Sequence, residues 1–383
     1  MDTEERIATT DGPATPLVHP GLPGRDYHDP AVWELERERI FHRLWFCVGR
    51  AERLVEAGDY LVRGVAGESV FVVRTKAGEL RAFYNVCRHR GSMLCDAPAG
   101  TMKSVVKCPY HAWSYTFDGE LVGTPNVGAD EGLDRSQYGL WSVALDTWDG
   151  FVFVNLLPDP PPLMESLAAE PEEPLQFARY GLGELRVGRR ITYEVEANWK
   201  IVLDNFNECL HCPTVHPELV QLVPIFRQGA VEAYEGEQGN SLVGEATSFT
   251  PSGFSSLPPL PGITEEDRHL YYGFTIMPNL ILNLMSDSVM TYTMFPTGPN
   301  HTTIESEYLF RPETIADPAF DPSEVVDFWD LVSRQDWVVC ERAQRGVRSR
   351  AFTRGVYPHN DRILWEFSKR YQAVRGPMPD ESE

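Results

Sequence analysis

The sequence predicts an α+β protein in which a small β domain is inserted into a larger domain that combines strands and helices. Short β-branched runs separated by glycines, as in "GDYLVRGVAGESVFVVRTKAGELRAFYNV", are typical of hairpins. An amphipathic pattern over about residues 323–348 predicts a long helix near the end of the chain. With 383 residues, the chain can bury the cores of two such domains.

The first 156 residues divide into two predicted parts. Residues 1–44 form an N-terminal segment with an amphipathic helix from about residue 30 to residue 44. Asp29 is its predicted N-cap and Pro30 its first residue. Residues 45–156 carry the hairpin pattern and form the predicted small β domain.

Residues 157–383 form the predicted larger domain. It begins with "LPDPPPLMESLAAEPEEP", whose prolines and acidic residues are typical of a linker. A helix is predicted over about residues 198–212. Strands are predicted in "NLILNLMSDSVMTYTMFP" and in "TTIESEYLF", before the long helix.

The composition excludes several classes of protein. A formal net charge of -22 repels polyanions, so we expect no nucleic-acid partner. No apolar run approaches the roughly 20 residues that a membrane-spanning helix needs. The acidic beginning "MDTEERIATTDG" lacks the features of a secretory signal, so we expect a cytoplasmic protein without a membrane partner. Seven cysteines spread over a long chain favour reduced thiols over a disulfide framework.

Two Cys/His pairs indicate a metal site in the small domain. Cys87 and His89 lie on one predicted loop, and Cys108 and His111 lie on another. Two thiolates and two imidazoles are a common zinc set, although zinc motifs generally place two cysteines on one loop. The alternative is a Rieske [2Fe-2S] cluster, in which two cysteines hold one iron and two histidines the other. One thiol and one imidazole on each loop favour the Rieske cluster.

A second set of candidate ligands lies in "NWKIVLDNFNECLHCPTVH". In a continuous helix Asp204, Glu208 and His211 project from adjacent turns. His216 would point elsewhere, but Pro213 interrupts the hydrogen-bond ladder and allows the chain to bend. Two histidines with one carboxylate are the ligands of non-haem Fe(II) oxygenases. The alternative is that the histidines are polar residues near a helix end.

The long helix offers the carboxylate. Asp336 lies in the middle of its apolar stripe, whereas Asp327 and Asp330 lie on the opposite face. A carboxylate on a buried stripe is costly unless it is paired or binds a metal. Asp336 is therefore the predicted third ligand, with a buried salt bridge as the alternative. The stripe consists of Val325, Phe328, Val332, Val339, Ala343 and Val347.

Four stretches resemble the α subunits of Rieske-type oxygenases, the family of ring-hydroxylating dioxygenases and related monooxygenases. They are "CRHRG", "CPYHAWSYTFDGEL", "NWKIVLDNFNECLHCPTVHPEL" and "PNLILNLMSDSVMTY". The resemblance implies a Rieske domain inserted in a catalytic domain, whose antiparallel sheet wraps on the long C-terminal helix in a helix-grip or START-like arrangement. It also implies a mononuclear iron, with Asp336 at the position of the third ligand.

The resemblance also implies how electrons arrive. A separate NAD(P)H-dependent reductase or ferredoxin supplies them, and this chain has no Rossmann fingerprint of its own. In the family, an acid just before the first histidine links the mononuclear iron to the Rieske cluster of a neighbouring subunit. Glu208 occupies this position, which implies a ring of subunits, usually a homotrimer. Asp204 is expected to lie near the metal ligands as a supporting residue.

The residue at position 208 also bears on the substrate. Ring-hydroxylating dioxygenases usually have Asp here, whereas "ECLHC" resembles the oxygenases of carnitine, glycine betaine and stachydrine. We therefore expect hydroxylation or N-demethylation of a small quaternary ammonium compound. Asn198, Phe206 and the aromatic residues of "LYYGF" and "TYTMF" are the expected pocket residues, and the aromatic ones could form a cation–π cage. The alternatives are an oxygenase of aromatic compounds, and a zinc or electron-transfer protein without oxygenase activity.

Overall fold

The computed structural model describes residues 18–125, 127–128, 131–171, 173–229 and 239–378. Within these residues the strands are β1 Val18–Pro23, β2 Phe46–Arg50, β3 Asp59–Val65, β4 Glu68–Arg74, β5 Leu80–Tyr84, β6 Ala99–Thr101, β7 Val106–Lys107, β8 Ser114–Tyr115, β9 Leu121–Gly123, β10 Ser142–Trp148, β11 Phe151–Asn155, β12 Arg186–Val195, β13 Asn240–Ser241, β14 Leu270–Ile276, β15 Leu280–Leu284, β16 Val289–Gly298, β17 His301–Phe310 and β18 Arg354–Pro358. The α-helices are α1 Pro30–Glu36, α2 Leu163–Ala168, α3 Trp199–Phe206, α4 Cys212–Val215, α5 Leu219–Leu222, α6 Pro312–Ala316, α7 Ser323–Val347 and α8 Arg362–Arg375.

The small domain is the predicted antiparallel β structure. Its main sheet has the strand order β2-β11-β10-β5-β4-β3-β6, and β7, β8 and β9 form a second sheet beside it. The loop after β5 carries the first Cys/His pair, and the loop between β7 and β8 carries the second. The sheets therefore hold the two loops of the predicted cluster.

The larger domain contains the antiparallel sheet β12-β17-β16-β15-β14-β13, with α7 packed on it. The strands predicted in residues 279–296 are β15 and β16, and "TTIESEYLF" lies within β17. Helix α7 contacts the sheet through polar atoms as well as apolar ones: the Tyr292 and Ser333 hydroxyls lie 2.6 Å apart, and Trp329 Nε1 donates to Met285 Sδ over 3.0 Å. The predicted fold class, with an antiparallel sheet against a long C-terminal helix, is confirmed.

The N-terminal segment packs on the larger domain. Strand β1 pairs with β18 in antiparallel register, with Val18 opposite Pro358. The helix predicted for residues 30–44 is shorter, because α1 ends at Glu36 and a π-helical turn follows over Arg37–Phe41. The Asp29 carboxylate caps α1 by accepting from the Ala31 N–H over 2.9 Å, as the sequence predicts. The β domain is therefore an insertion between segments that pack together.

The predicted linker after residue 156 is wrong in part, because the segment is a packed connection. Its α2 buries Leu163 and Leu167 in a core shared by both domains. On the β-domain side this core contains Phe151 and Phe153, and on the other side Leu280 of β15. Most of the proline and acidic residues in this segment are exposed, although Glu170 and Pro174 are buried, so composition alone suggested a linker. Among the described residues no helix is long and apolar enough to cross a membrane.

Candidate metal centres and active site

Helix α3 ends earlier than the sequence predicts. Asn198 caps it by accepting from the Lys200 N–H over 3.0 Å, and the helix stops at Phe206. The Glu208 carboxylate accepts from the backbone N–H groups of Leu210 and His211, which forms a turn in place of further helix. Side chains that bond to nearby N–H groups compete with helix continuation in this way.

The bend therefore precedes Pro213. That proline lies in the first turn of α4 and begins a helix instead of interrupting one. The predicted helix over residues 198–212 is wrong beyond Phe206, and Asp204, Glu208 and His211 do not share one helix. The two histidines nevertheless converge, as the sequence predicts. The ring centroids of His211 and His216 lie 5.1 Å apart.

The predicted ligands of the mononuclear centre lie together. Nε2 of His216 is 2.8 Å from Oδ1 of Asp336, and Nε2 of His211 is 3.3 Å from the same oxygen. The ligand atoms of all three residues lie within 4.8 Å of one another. The histidines come from the turn after α3 and the end of α4, and Asp336 comes from the middle of α7. Two imidazoles and one carboxylate fit a non-haem iron with open positions.

Both imidazoles are oriented by a partner on their other nitrogen. Nδ1 of His211 lies 2.6 Å from Glu208 Oε1, and Nδ1 of His216 lies 2.7 Å from Gln335 Oε1. An acceptor at Nδ1 fixes the proton there and leaves Nε2 free to bind a metal. Sequence reasoning missed Gln335, although it directly precedes Asp336.

The electrostatics of this cluster favour a cation. Burial alone would raise the pKa of Asp336, but hydrogen bonds with His211 and His216 lower it below its usual value. Burial alone would lower the pKa of His211, whereas hydrogen bonds with Asp336 and Glu208 raise it to about 9. The carboxylates thus hold positive charge at the point where the three ligand atoms meet.

Cys209 and Cys212 form a disulfide across the turn that carries His211. This corrects the expectation of reduced thiols for these two residues. The other cysteines, Cys47, Cys87, Cys95, Cys108 and Cys340, are free and buried. A three-residue spacing on one tight turn brings the two sulfurs together, and sequence reasoning treated both residues only as packing.

The pocket beside the metal ligands is lined by aromatic and amide side chains. Phe206 lines it as predicted, together with Phe226, Tyr271, Tyr292 and Trp329. Asn198 does not line it, because this residue is buried at the start of α3, where its Nδ2 donates to the Pro299 carbonyl. That prediction is wrong for a simple reason, since an Asn before a helix is usually a cap.

The aromatic residues of the two predicted strands divide between the pocket and the core. Tyr271 of "LYYGF" and Tyr292 of "TYTMF" line the pocket. Tyr272 and Phe274 point to the other face of β14 and pack against Phe177. The twofold alternation of a strand explains the division.

Asp204 lies outside this pocket. It accepts a hydrogen bond of 2.7 Å from the Tyr27 hydroxyl and lines a second cavity of about 360 Å³. Glu208 and His211 line both cavities, so they form the wall between them. Burial raises the pKa of Asp204 to about 7 and that of Asp361, in the same cavity, to about 6.

The predicted cluster ligands lie on two loops of similar geometry. In the first, the Cys87 N–H donates to the Ser92 carbonyl and the Gly91 N–H donates to the Cys87 carbonyl. In the second, the Cys108 N–H donates to the Trp113 carbonyl and the Ala112 N–H to the Cys108 carbonyl. Each loop has a residue with positive φ, Gly91 at 70° and Ala112 at 61°. Two matched turns present one thiol and one imidazole each.

The thiols are buried and the imidazoles lie towards the surface. The ring centroids of His89 and His111 are 4.8 Å apart, and His89 stacks on Trp113. Burial raises the pKa of the Cys87 thiol. Burial acts in the same direction on Cys108, but N–H groups of His111 and Tyr110 outweigh it and lower the pKa of that thiol. Backbone donors of this kind favour the thiolate that binds iron.

Family comparisons match both domains. The Rieske [2Fe-2S] domain family matches residues 44–144, and the catalytic domain of the ring hydroxylating alpha subunit family matches residues 182–376. The prediction of a Rieske cluster and a mononuclear iron, in place of zinc, is confirmed by these two families. Domain boundaries at residues 44 and 156 remain predictions.

Relatives of known activity match over most of the chain. The glycine betaine monooxygenase oxygenase subunit of Chromohalobacter salexigens is 29% identical and covers 88% of this chain and 81% of its own. The carnitine monooxygenase oxygenase subunit of Acinetobacter pittii is 30% identical and covers 88% of each chain.

Solved structures show the same fold. The quaternary ammonium Rieske monooxygenase CntA in complex with gamma-butyrobetaine has a TM-score of 0.75 and 26% identity, covering 95% of this chain and 97% of its own. Naphthalene 1,2-dioxygenase from Rhodococcus sp. has a TM-score of 0.72 at 23% identity, covering 93% and 94%. Because both of its domains match, the chain belongs to the Rieske oxygenases whose catalytic domain is that of the ring hydroxylating alpha subunit, and it is the oxygenase component.

Proposed function

We propose that this oxygenase hydroxylates or N-demethylates a small quaternary ammonium compound, using O2 and electrons from a separate NAD(P)H-dependent reductase. One observation carries the proposal: the ligand set His211, His216 and Asp336 opens into a pocket walled by aromatic rings. The relatives named for glycine betaine and carnitine, and CntA with its bound butyrobetaine, support the substrate class.

The aromatic wall suits a cation. Tyr271 and Trp329 line the pocket with ring centroids 5.9 Å apart. The buried ring of Phe249, which does not line the pocket, supports both, with centroids 5.1 Å from Tyr271 and 4.8 Å from Trp329. The negative faces of aromatic rings attract an ammonium group, and this attraction is stronger where water is excluded. The Tyr271 hydroxyl donates to Asn283 Oδ1 over 2.6 Å, which holds the ring in place.

The reaction balances with reagents that the system supplies. His211, His216 and Asp336 would hold the iron, which would supply the activation of O2 when bound. One oxygen atom enters a C–H bond of an N-methyl group, and the other leaves as water with two electrons and two protons. The hydroxymethyl ammonium product then releases formaldehyde, a proton and the demethylated amine. The aromatic rings of the pocket hold the ammonium group in place. Glu208 and Gln335 orient the imidazoles of His211 and His216.

We also propose that electrons enter through Glu208 from a neighbouring copy of the chain, in a homotrimer. Glu208 lies beside His211 in the wall of the second cavity, and the described lining of that cavity contains no residue of the 44–144 domain. His89 and His111 lie towards the surface of their own domain. An exposed imidazole of one copy can therefore approach Glu208 of the next.

A single turnover tests the substrate class. Protein carrying both metals would be reduced chemically without oxygen, then mixed with O2 and a panel of betaines, carnitine-like compounds and aromatic acids. Mass spectrometry of the products should show formaldehyde with a demethylated amine, or a hydroxylated ammonium compound. The Asp336→Ala variant is the control and should give no product. Hydroxylated or O-demethylated aromatic compounds alone would contradict the proposal and favour an aromatic-compound oxygenase.

A further inference from the structure

The disulfide of this chain lies at the active site and does not belong to a stabilising framework. It joins Cys209 and Cys212, which are three positions apart in the sequence, so it closes a very short loop. The stabilisation that a disulfide gives grows with the length of the loop it closes, so this bond adds little. The other five cysteines are free. The place of the bond therefore indicates its role better than any effect on folding does.

Both cysteines line the pocket of the metal ligands. They do so beside His211 and His216. Sγ of Cys212 lies 3.8 Å from Nε2 of His211, which is the nitrogen that faces Asp336. Bulk solvent barely reaches the two residues, since Cys209 is 4% exposed and Cys212 is 3% exposed. An oxidant that forms in the pocket can therefore reach these sulfurs without leaving the protein.

The bond also ties together the two segments that carry the histidines. On one side, the Glu208 carboxylate accepts from the N–H of His211, inside the closed loop. On the other side, Cys212 begins α4, and its carbonyl accepts from the His216 N–H over 2.9 Å. A crosslink restricts the conformations that its loop can adopt. We therefore expect the closed bond to hold both imidazoles at the metal position more firmly than two free thiols would.

The chemistry of the pair suits reversible oxidation. The sequence "CLHC" has the spacing of sites that open and close by thiol–disulfide exchange. When no substrate is oxidised, reduction of O2 by two electrons and two protons gives hydrogen peroxide. One thiol and H2O2 give a sulfenic acid and water, and attack by the second thiol gives the disulfide and a second water. A dithiol reductant returns both thiols and is itself oxidised to a cyclic disulfide.

We propose that Cys209 and Cys212 are a reversible modification site, which is closed by peroxide formed in the active-site pocket and opened by a dithiol reductant. The closed bond holds His211 and His216 in place while peroxide is present, and so slows the loss of iron. The inference rests on the assignment of the chain as an oxygenase and does not depend on the proposed substrate class.

Redox mapping of the enzyme with both metals tests the site. The protein is treated with dithiothreitol without oxygen, desalted, and supplied with its reductase, NAD(P)H and O2 but no substrate. Free thiols are then blocked with iodoacetamide in denaturant, and peptide mass spectrometry follows Cys209 and Cys212. We expect the pair to close, and a second treatment with dithiothreitol to open it. Cys47 should stay reduced, because burial raises the pKa of its thiol to about 12.

The Asp336→Ala variant identifies the source of the oxidant. It keeps both cysteines and should lack the mononuclear iron, so closure during turnover should be at least about tenfold slower, whereas added H2O2 should close the pair in both proteins. If this variant does not fold, wild-type protein depleted of mononuclear iron by a chelator replaces it. Equal closure with and without the iron would overturn the inference. A pair that H2O2 does not close, or that dithiothreitol does not open in the folded enzyme, would overturn it as well.

Iron release gives a readout that does not depend on turnover. A ferrous chelator is added to oxidised and to reduced, desalted enzyme, and the Rieske visible spectrum shows that the cluster remains. Release of the mononuclear iron should be at least about threefold slower from the oxidised enzyme. Cys209→Ser cannot form the bond and should release iron at one rate in both conditions, whereas Cys47→Ala is the control and should behave as wild type. Equal release from the two redox states of wild type would contradict the proposed hold on the histidines.

Discussion

Glu208 and Asp336 are two carboxylates with different tasks at one cluster. Asp336 faces Nε2 of both histidines, whereas Glu208 faces Nδ1 of His211. The first position suits a metal ligand, and the second orients an imidazole and borders the second cavity. The apolar stripe around Asp336 and the family resemblance predict these two roles from the sequence.

The two acids should therefore respond differently to substitution. We expect Asp336→Ala to lose the mononuclear iron and keep the Rieske cluster, because one of three ligands is removed. Glu208→Gln keeps an acceptor for His211 Nδ1 and should retain both metals, while turnover that depends on electron delivery falls by at least about a hundredfold. Iron analysis and Rieske visible spectra measure the metals. Equal iron loss in the two variants would show that the roles are assigned wrongly.

Asp204 should make stability fall as pH rises. Burial raises its pKa to about 7, so the folded protein retains a proton that the unfolded chain releases above about pH 4. Between about pH 4 and pH 7, the contribution of Asp204 should lower the free energy of unfolding by up to about 1.4 kcal/mol for each unit of pH.

Asp204→Asn can still accept from Tyr27 and should flatten this dependence, making the variant more stable than wild type at pH 8. Urea unfolding at pH 5 and pH 8 measures the difference. Asp118→Asn, at an exposed position, is the control. An unchanged pH slope in Asp204→Asn would refute the assignment.

At the scale of elements, one buried ion pair joins three helices. Lys200 of α3 contacts Glu36 at the end of α1, and the same carboxylate accepts from Trp199 Nε1 over 3.0 Å and from the Tyr371 hydroxyl of α8 over 2.7 Å. Lys200 and Glu36 are both buried. The network fixes the start of α3, whose end carries the turn with His211.

Lys200→Met should destabilise the protein by about 3–5 kcal/mol, because it leaves the Glu36 carboxylate buried without its cation. The double variant Lys200→Met with Glu36→Gln should recover part of the loss. Chemical unfolding with intact metals measures both. The exposed Lys369→Met is the matched control. A single variant as stable as the control would mean that the pair contributes nothing.

Elements with a clear period were predictable, and those set by side-chain contacts were not. Helix α7 and strands β15–β17 match their predictions because each has a regular apolar pattern. The end of α3 at Phe206 depends on a Glu208 side chain that bonds to backbone N–H groups. That contact, like the packing of Leu163 in α2, becomes visible only in three dimensions.

At the scale of the whole molecule, the second cavity, beside Glu208, has an apolar rim. It is lined by Leu210, Val339, Ala343 and Val356, of which Leu210 is 41% exposed and Val356 65% exposed. Exposed apolar residues around a cavity indicate a contact surface. We propose that this rim is where the neighbouring Rieske domain docks in the trimer, which would place the contact surface beside Glu208 on the proposed electron path.

Val356→Glu should therefore weaken assembly and electron transfer together, because it buries a carboxylate among apolar residues at the proposed contact. We expect the trimer fraction at micromolar concentration, measured by light scattering after size exclusion, to fall, and steady-state turnover to fall at least about tenfold. Both metals should remain, since Val356 lies on β18, away from the ligand atoms. Val338→Glu on α7 is the matched control, because Val338 is 48% exposed and does not line the cavity. A Val356→Glu protein that remains trimeric and fully active would place the contact surface, and with it the path through Glu208, elsewhere on the molecule.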